Sequence, residues 1–332
     1  MNFFITNREI LKKGNKESIR EDGCENASDN LRFGTYDIAK NTFNLFPEPE
    51  KETDLIYSIA GNVETSTLKG SSRFFKEVWD ELIKEKNSGD VLFFIHGFNT
   101  DLDGVRDAFK RLNKKYVKEG SPIKHIMIFT WPGRSPVIPY HYFDDKKDAI
   151  RSGEALARGV EKLLKFFNDF FLKGRNPLCT RKIHLMVHSM GNRVLKHTIL
   201  ELTKLQKPIP ELFKEIILVA ADIEYNIFEP HEAFDTLINL GDRVHIYFHE
   251  KDRVLDISAF TKNLSNRLGK HGRKEINPAQ KYVIDADVTK TNDDKEYGLE
   301  ESLLNHWYYY TSTEAVNDII AVLNGKLSKY KV

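Results

Sequence analysis

The sequence predicts an α/β fold in which a mostly parallel central sheet is covered by helices on both faces. Two observations lead to this prediction. Short apolar runs alternate along the chain with longer amphipathic stretches, as they do in repeated strand–helix–strand units. The apolar runs are continuous rather than alternating with polar residues, which is typical of strands that are buried on both faces.

The buried strands of the predicted core follow one another through the second part of the chain. They are expected at residues 91–95, 123–130, 183–187, 215–220 and 244–248, with a weaker one at 282–284. Helical patterns are found at residues 102–116, 149–171, 192–205, 257–268 and 313–327. This alternation favours parallel strands that are joined by helical crossovers.

The first part of the chain carries further strand patterns, at residues 3–6, 31–39 and 55–60, and then a helix at residues 72–85. We expect these strands to extend one edge of the same sheet, because no linker-like stretch separates them from the core. The sequence is therefore interpreted as a single domain over residues 1–332. In this interpretation residues 1–87 supply edge strands and a helix, and residues 88–332 form the catalytic core.

The composition excludes several classes of protein. The 332 residues include 50 basic and 49 acidic side chains, so the formal net charge is +1 and gives no sign of a nucleic-acid partner. The two cysteines, Cys24 and Cys179, are too few for a disulfide framework and lack metal-ligand spacing. No apolar run reaches the roughly 18 residues of a membrane span, and the first residues lack a signal-peptide pattern. We expect a cytoplasmic protein without a metal or cofactor.

Ser189 stands at a predicted strand-to-helix turn. The segment Val187-His188-Ser189-Met190-Gly191 follows directly on a buried apolar run and opens into a helical pattern. In a nucleophile elbow, a serine on such a sharp turn projects its hydroxyl from the top of the sheet. The usual pattern is G-x-S-x-G, and here Val187 occupies the position of the first glycine. The alternative interpretation is an ordinary serine that caps a helix.

A second motif, His96-Gly97-Phe98-Asn99, follows the first strand of the predicted core. Esterases and lipases place an HG-containing loop at this point, and one main-chain N–H of that loop helps to bind the oxyanion. The other donor is the N–H of the residue after the nucleophile. In this chain the two expected donors are Phe98 and Met190. The ring of His96 is interpreted as structural, because the donors are main-chain groups.

A serine needs a base to take its proton and a carboxylate to orient that base. Enzymes with a nucleophile elbow carry these residues in the chain order Ser, acid, His. His306, far downstream of the serine, is the expected base. Asp252 follows the strand pattern at residues 244–248 and is the favoured acid, whereas Asp222, one strand earlier, is the alternative.

Motifs along nearly the whole chain resemble the bacterial α/β-hydrolases grouped as DUF900. The segments that carry the resemblance are ITNRE, RFGTYDIA, FFIHGFN, FTWPGRS, VHSMGNRVL, AADIEYNIF, HEKDRVLDIS, NRLG, YVIDAD and NHWYY. Val187 replaces the small residue that the family usually has before HSMGN, and Trp307 replaces the usual serine after His306. The resemblance implies an α/β-hydrolase fold and a Ser-Asp-His hydrolase, and it names no substrate.

These residues support one leading hypothesis and two rivals. The leading one is a serine hydrolase that cleaves carboxylic esters or thioesters through an acyl-enzyme, with a small-molecule ester or acyl compound as its substrate. The first rival uses the same site to cleave amides or to transfer acyl groups. The second is a non-catalytic module with a hydrolase-like fold that binds a lipid or a partner protein.

Overall fold

A computed structural model gives the structure of residues 1–14, 16–21, 27–51, 62–84, 89–133, 140–205, 210–260, 266–294 and 304–332. The side chains of residues 140–145 and 257–260 are not described. The predicted strand at residues 55–60 lies outside the described residues.

The strands of the described chain form one large sheet and one small hairpin. Their bounds are β1 Asn2–Thr6, β2 Ile10–Lys13, β3 Lys16–Ile19, β4 Arg32–Asp37, β5 Thr42–Leu45, β6 Asp90–Ile95, β7 Ile123–Thr130, β8 Ile183–His188, β9 Phe213–Val219, β10 Gly241–Phe248 and β11 Val283–Asp287. Nine of these described strands form the large sheet, in the order β11-β10-β9-β8-β6-β7-β1-β4-β5. Strands β2 and β3 pair only with each other.

The large sheet is mostly parallel, as predicted. Every pairing from β11 across to β1 is parallel, and the pairings of β1 with β4 and of β4 with β5 are antiparallel. Strand β1 lies between β7 and β4, so the N-terminal strands extend the edge of the sheet. The carboxyl ends of β1, β6, β8, β9 and β10 therefore meet at one edge, where parallel α/β sheets place their ligands.

Helices cover both faces of the sheet. Their bounds are α1 Gly70–Ile83, α2 Leu102–Tyr116, α3 Tyr140–Phe166, α4 Gly191–Lys204, α5 Arg253–Phe260, α6 Leu268–His271, α7 Tyr308–Thr311 and α8 Thr313–Leu323. Alternate residues of β6 face two separate cores. Val91, Phe93 and Ile95 pack with α1, α3 and α4, whereas Leu92 and Phe94 pack with α2, α7 and α8. This burial on both faces explains the continuous apolar runs of the sequence.

Several element bounds differ from the sequence predictions. Helix α3 begins nine residues before the predicted start, and its predicted end is a π-helical segment, Phe167–Lys173. Helix α8 ends early, at Leu323, because Gly325 adopts a left-handed φ of 85° just beyond it. The hairpin of β2 and β3 and the edge strand β5 were not predicted. Most of their side chains are exposed or half-buried, so these strands carry no continuous apolar run.

Gly34 provides a test of how tightly the antiparallel edge is packed. It lies in β4, between Phe4 of β1 and Leu45 of β5. A Cβ atom here would overlap the carbonyl oxygen of Asn44 and come within 2.6 Å of the Phe4 ring. We therefore expect Gly34→Ala to lower the free energy of unfolding by about 3 kcal/mol, the upper range for overpacking a core.

Urea-induced unfolding of the purified variant measures this change. Gly120→Ala is the control for backbone strain without crowding, because Gly120 has a left-handed φ of 78° and no atom lies within 4 Å of its added Cβ. The control should lose only about 1 kcal/mol, the cost of a left-handed conformation. Equal losses in the two variants would contradict the packing argument.

Candidate active site

Ser189 occupies a strained turn between β8 and α4. Its φ angle is 51°, in the left-handed region that residues other than glycine rarely adopt. The Ser189 N–H donates to the carbonyl oxygen of Val219 at 3.1 Å. Its own carbonyl oxygen accepts from the N–H of Asp222 at 3.2 Å and from the side-chain amide of Asn192 at 3.0 Å. These bonds from two elements hold the serine in its turn.

The turn is crowded on the side of β6, where two glycines allow close approach. A Cβ atom on Gly97 would lie 2.7 Å from the Ser189 Cβ, and one on Gly191 would lie 2.6 Å from the His96 carbonyl oxygen. Val187, which replaces the usual first glycine of the motif, is fully buried within β8. It lies opposite Ile95 and Leu218 in the sheet. The larger side chain is therefore accommodated by the core beneath the turn.

His306 and Asp252 are joined by a short buried hydrogen bond. The His306 Nδ1–H donates to the Asp252 Oδ2 at 2.7 Å, and their side chains are only 3% and 0% exposed. The second oxygen of Asp252 accepts from the N–H of Leu255 at 3.0 Å and so caps α5. The loops are also tied together where Asn305 donates its side-chain amide to the Lys251 carbonyl oxygen. Asp252 is thus both a helix cap and the partner of His306.

Asp222, the alternative acid, pairs with a different residue. Its Oδ1 lies 3.4 Å from the Nε of Arg267, and both side chains are buried. Glu224 also lies close to Arg267, 3.6 Å from its Nη1. The structure therefore brings Asp252, and not Asp222, into hydrogen-bond contact with His306.

Tyr308 holds the histidine segment against the end of the sheet. Its hydroxyl donates to the Tyr247 carbonyl oxygen at 2.7 Å and accepts from the Ala220 N–H at 2.6 Å. It therefore bridges the carboxyl ends of β9 and β10, two residues after His306. This role of Tyr308 was not predicted from the sequence. A tyrosine in an aromatic run carries no signal of a long-range hydrogen bond.

His188 is a second buried histidine beside the site. Its ring centroid lies 4.8 Å from that of His306 and 4.8 Å from that of Tyr309. Burial, and then the proximity of His306, hold the pKa of His188 well below its ordinary value. A neutral His188 adds no positive charge next to His306.

The expected oxyanion donors lie on either side of the serine turn. Met190 is the N-cap residue of α4, at the helix end where main-chain N–H groups lack intrahelical partners. Phe98 belongs to loop 97–100, which follows β6 and contacts Ser189 through Gly97. The Thr100 hydroxyl lies 3.2 Å from the Gly97 carbonyl oxygen and 3.3 Å from that of Phe98. These contacts hold the loop in a compact conformation.

The ring of His96 supports the base of this loop. Its Nδ1–H donates to the Gly97 carbonyl oxygen at 2.9 Å, and its Nε2 accepts from the Trp131 N–H at 3.1 Å. The rings of His96 and Trp131 stack with their centroids 5.3 Å apart. Burial, helped by the charge of Arg8, lowers the pKa of His96 to about 3. His96 therefore stays neutral, which agrees with the structural role expected from the sequence.

A comparison with protein families identifies the chain. The model of the DUF900 family, described as an alpha/beta hydrolase of unknown function, matches residues 72–323. The chain belongs to the DUF900 family. The mostly parallel sheet with helices on both faces agrees with the α/β-hydrolase fold of that family. The comparison with curated proteins gives no match.

Other features of this DUF900 chain concern metals and membranes. Within the described ranges, no group of three or more histidine, cysteine, aspartate or glutamate side chains is arranged to hold a metal ion. Among the described helices, none combines the length and the apolar character that crossing a bilayer requires.

The buried neutral His96 predicts a specific acid sensitivity. The unfolded chain binds a proton on this residue below about pH 6.5, whereas the folded chain resists protonation down to about pH 3. The buried neutral His96 therefore contributes fully to the free energy of unfolding above pH 6.5. This contribution is lost as the pH falls from 6.5 toward 3, by up to about 1.4 kcal/mol per pH unit.

We therefore expect His96→Asn to show a shallower fall in the free energy of unfolding between pH 6.5 and pH 4.5 than the wild type. Urea unfolding at a series of pH values measures both slopes. His231→Asn is the control, because His231 is exposed and its replacement should keep the wild-type slope. If His96→Asn also kept that slope, the neutral buried state of His96 would be wrong.

Proposed function

We propose that this protein is a serine hydrolase that cleaves carboxylic esters or thioesters through an acyl-enzyme. Ser189 is the nucleophile, His306 the base and Asp252 the residue that orients the base. The observation that carries the proposal is the buried 2.7 Å hydrogen bond between His306 and Asp252, at the edge of the sheet where Ser189 stands on its strained turn. The serine turn beside this hydrogen bond distinguishes the arrangement from a purely structural buried pair.

The hydrogen bond determines which nitrogen of His306 can act as the base. Because Nδ1–H donates to Asp252, the neutral ring has its lone pair on Nε2. Nε2 takes the proton of the Ser189 hydroxyl as its oxygen attacks the carbonyl carbon, and Asp252 stabilises the resulting imidazolium. The imidazolium then protonates the leaving alkoxide or thiolate. Water cleaves the acyl-enzyme by the same steps, with His306 again taking a proton.

The negative charge that develops on the carbonyl oxygen is the main electrostatic demand of this reaction. We assign its stabilisation to the main-chain N–H groups of Phe98 and Met190. Met190 stands at the positive end of the α4 dipole, and Gly97 allows loop 97–100 to approach the serine. Ser189, His306 and Asp252 are all at least nine-tenths buried, and a low local dielectric strengthens such interactions.

Replacement of the serine tests the proposal directly. We expect Ser189→Ala to abolish hydrolysis of p-nitrophenyl esters of varied acyl length, and also covalent labelling by a fluorophosphonate, which requires an activated serine. His306→Ala should cost nearly as much, since losses of residues that act as a unit do not add. Thermal unfolding should show that both variants remain folded.

The outcomes separate the proposal from its rivals. Labelling of Ser189 without turnover of esters or thioesters, but with turnover of p-nitroanilides or acyl transfer to an added amine, would favour an amidase or acyltransferase. No labelling and no turnover in the wild type would reject the enzyme and favour a non-catalytic binding module.

The two aspartates provide a separate test of the acid. Asp252→Asn should lower kcat by about 10⁴, because an amide favours the wrong tautomer of His306. Asp222→Asn should lower kcat by only about tenfold, since its carboxylate contacts Arg267 and its loss acts on the site through packing. Steady-state kinetics on one p-nitrophenyl ester measures both. A larger loss for Asp222→Asn would show that the acid is assigned to the wrong residue.

A further inference from the structure

Arg8 is a fully buried arginine at the edge of the sheet that carries the candidate site. It follows β1 by two residues, and β1 runs parallel to β7 with Thr6 opposite Thr130. The residue is only 1% exposed. Since burying a guanidinium is costly unless its N–H groups are hydrogen-bonded, its partners indicate what it holds in place.

The Arg8 side chain links β7 to loop 97–100. Its Nε–H donates to the Thr130 hydroxyl at 2.7 Å, and its Nη2–H donates to the Thr100 carbonyl oxygen at 2.5 Å. The main-chain N–H of Arg8 donates to the Thr6 hydroxyl at 3.0 Å and fixes the start of the side chain. Because both N–H groups belong to the same rigid, planar guanidinium, they fix the position of the Thr100 carbonyl relative to the sheet.

Movement of Thr100 would be transmitted to the expected oxyanion donor. The Thr100 hydroxyl contacts the carbonyl oxygens of Gly97 and Phe98. A Cβ atom on Gly133 would lie 2.7 Å from both the N and the O of Thr100, so the backbone at Gly133 leaves the loop little room to shift. Gly97 at the start of the loop contacts the Ser189 side chain. Arg8, Thr100, Gly97 and Ser189 thus form one chain of contacts, to which Phe98 is joined through the Thr100 hydroxyl.

The positive charge of Arg8 also acts on His96. Its proximity is one of the causes of the low pKa of His96, the residue immediately before loop 97–100. Arginine remains protonated in proteins, so the guanidinium is a permanent positive charge in contact with loop 97–100 through the Thr100 carbonyl oxygen.

We propose that Arg8 is a positioning residue, which holds the N–H of Phe98 in place for the transition state through its hydrogen bond to Thr100. The inference rests on the proposed serine hydrolase function. Arg8 does not touch the substrate in this assignment. Its loss should therefore affect the transition state and leave binding of the ground-state ester nearly unchanged.

The test compares Arg8→Gln and Arg8→Lys with the wild type on a p-nitrophenyl ester and on an aryl trifluoromethyl ketone, which forms a tetrahedral anionic adduct with an activated serine. For Arg8→Gln we expect kcat to fall by roughly 30- to 100-fold, the scale of a small displacement in an active site, with KM within about threefold. The inhibition constant of the ketone should rise by a similar factor to the fall in kcat.

Arg8→Lys keeps the charge, but one ammonium group cannot reproduce the rigid fork of a guanidinium. It should therefore recover part of kcat and keep KM unchanged. Arg32→Gln is the matched control. Arg32 is also buried, lies opposite Thr6 in the sheet, and bonds to Glu17 and the Phe46 carbonyl oxygen. This control should lose stability in urea unfolding and keep the kcat of its folded fraction.

The possible outcomes are distinct. A kcat within about twofold of wild type in folded Arg8→Gln would overturn the inference, and so would the same result for Arg8→Lys if the glutamine variant does not fold. A rise in KM with unchanged kcat would overturn it as well, because that result means ground-state binding. A wild type that neither turns over esters nor reacts with a fluorophosphonate would reject the proposed function, and the inference would fall with it.

Discussion

The position of the candidate site depends on the parallel register of β8 with its two neighbours. Val187 lies opposite Ile95 of β6 and Leu218 of β9, and the ladder continues for one more bond, from Ser189 to Val219, before the chain turns into α4. A slip of one residue would place the core side chains of β8 on the opposite faces. Burial on both faces therefore fixes which residue enters the left-handed turn. The same register brings Gly97 and Gly191 to the points where the serine turn and the end of β6 approach each other closely.

Loops from distant parts of the chain meet at this edge because each has its own attachment to the sheet. Asp252 and His306 are 54 positions apart, yet the cap of α5 fixes the first and Tyr308 holds the segment of the second. A buried polar group that loses its partner costs about 1–3 kcal/mol, so these attachments support one another and disfavour alternative loop positions. The result is a preorganised arrangement, which an enzyme needs if its donors are not to reorganise during the reaction.

The sequence was sufficient to predict the parallel core and the strand-to-helix turn, because both depend on local apolar patterns and on glycines near one serine. The strands β2, β3 and β5 escaped prediction since they expose much of their surface. Chain position favoured Asp252 over Asp222 but left both open, as both follow a strand and precede His306. The choice depends on three-dimensional contacts, with His306 in one case and Arg267 in the other. Arg8 and Tyr308 were beyond sequence reasoning for the same reason.

The insertion of β1 between β7 and β4 has a consequence for the order of folding. Arg8 and Thr130 are 122 positions apart, so β1 leaves the ribosome well before β7 and must wait for it before the two strands can pair. Closing such a long loop costs conformational entropy before any contact compensates for it, and non-local pairings of this kind slow folding. During synthesis, β6 and β7 can pair as neighbours while β1 is still unattached on one side. The edge that carries Arg8 is therefore expected to join the sheet after β6 and β7 have paired, so that loop 97–100 gains its hydrogen bond to Arg8 only when this long loop of chain has closed.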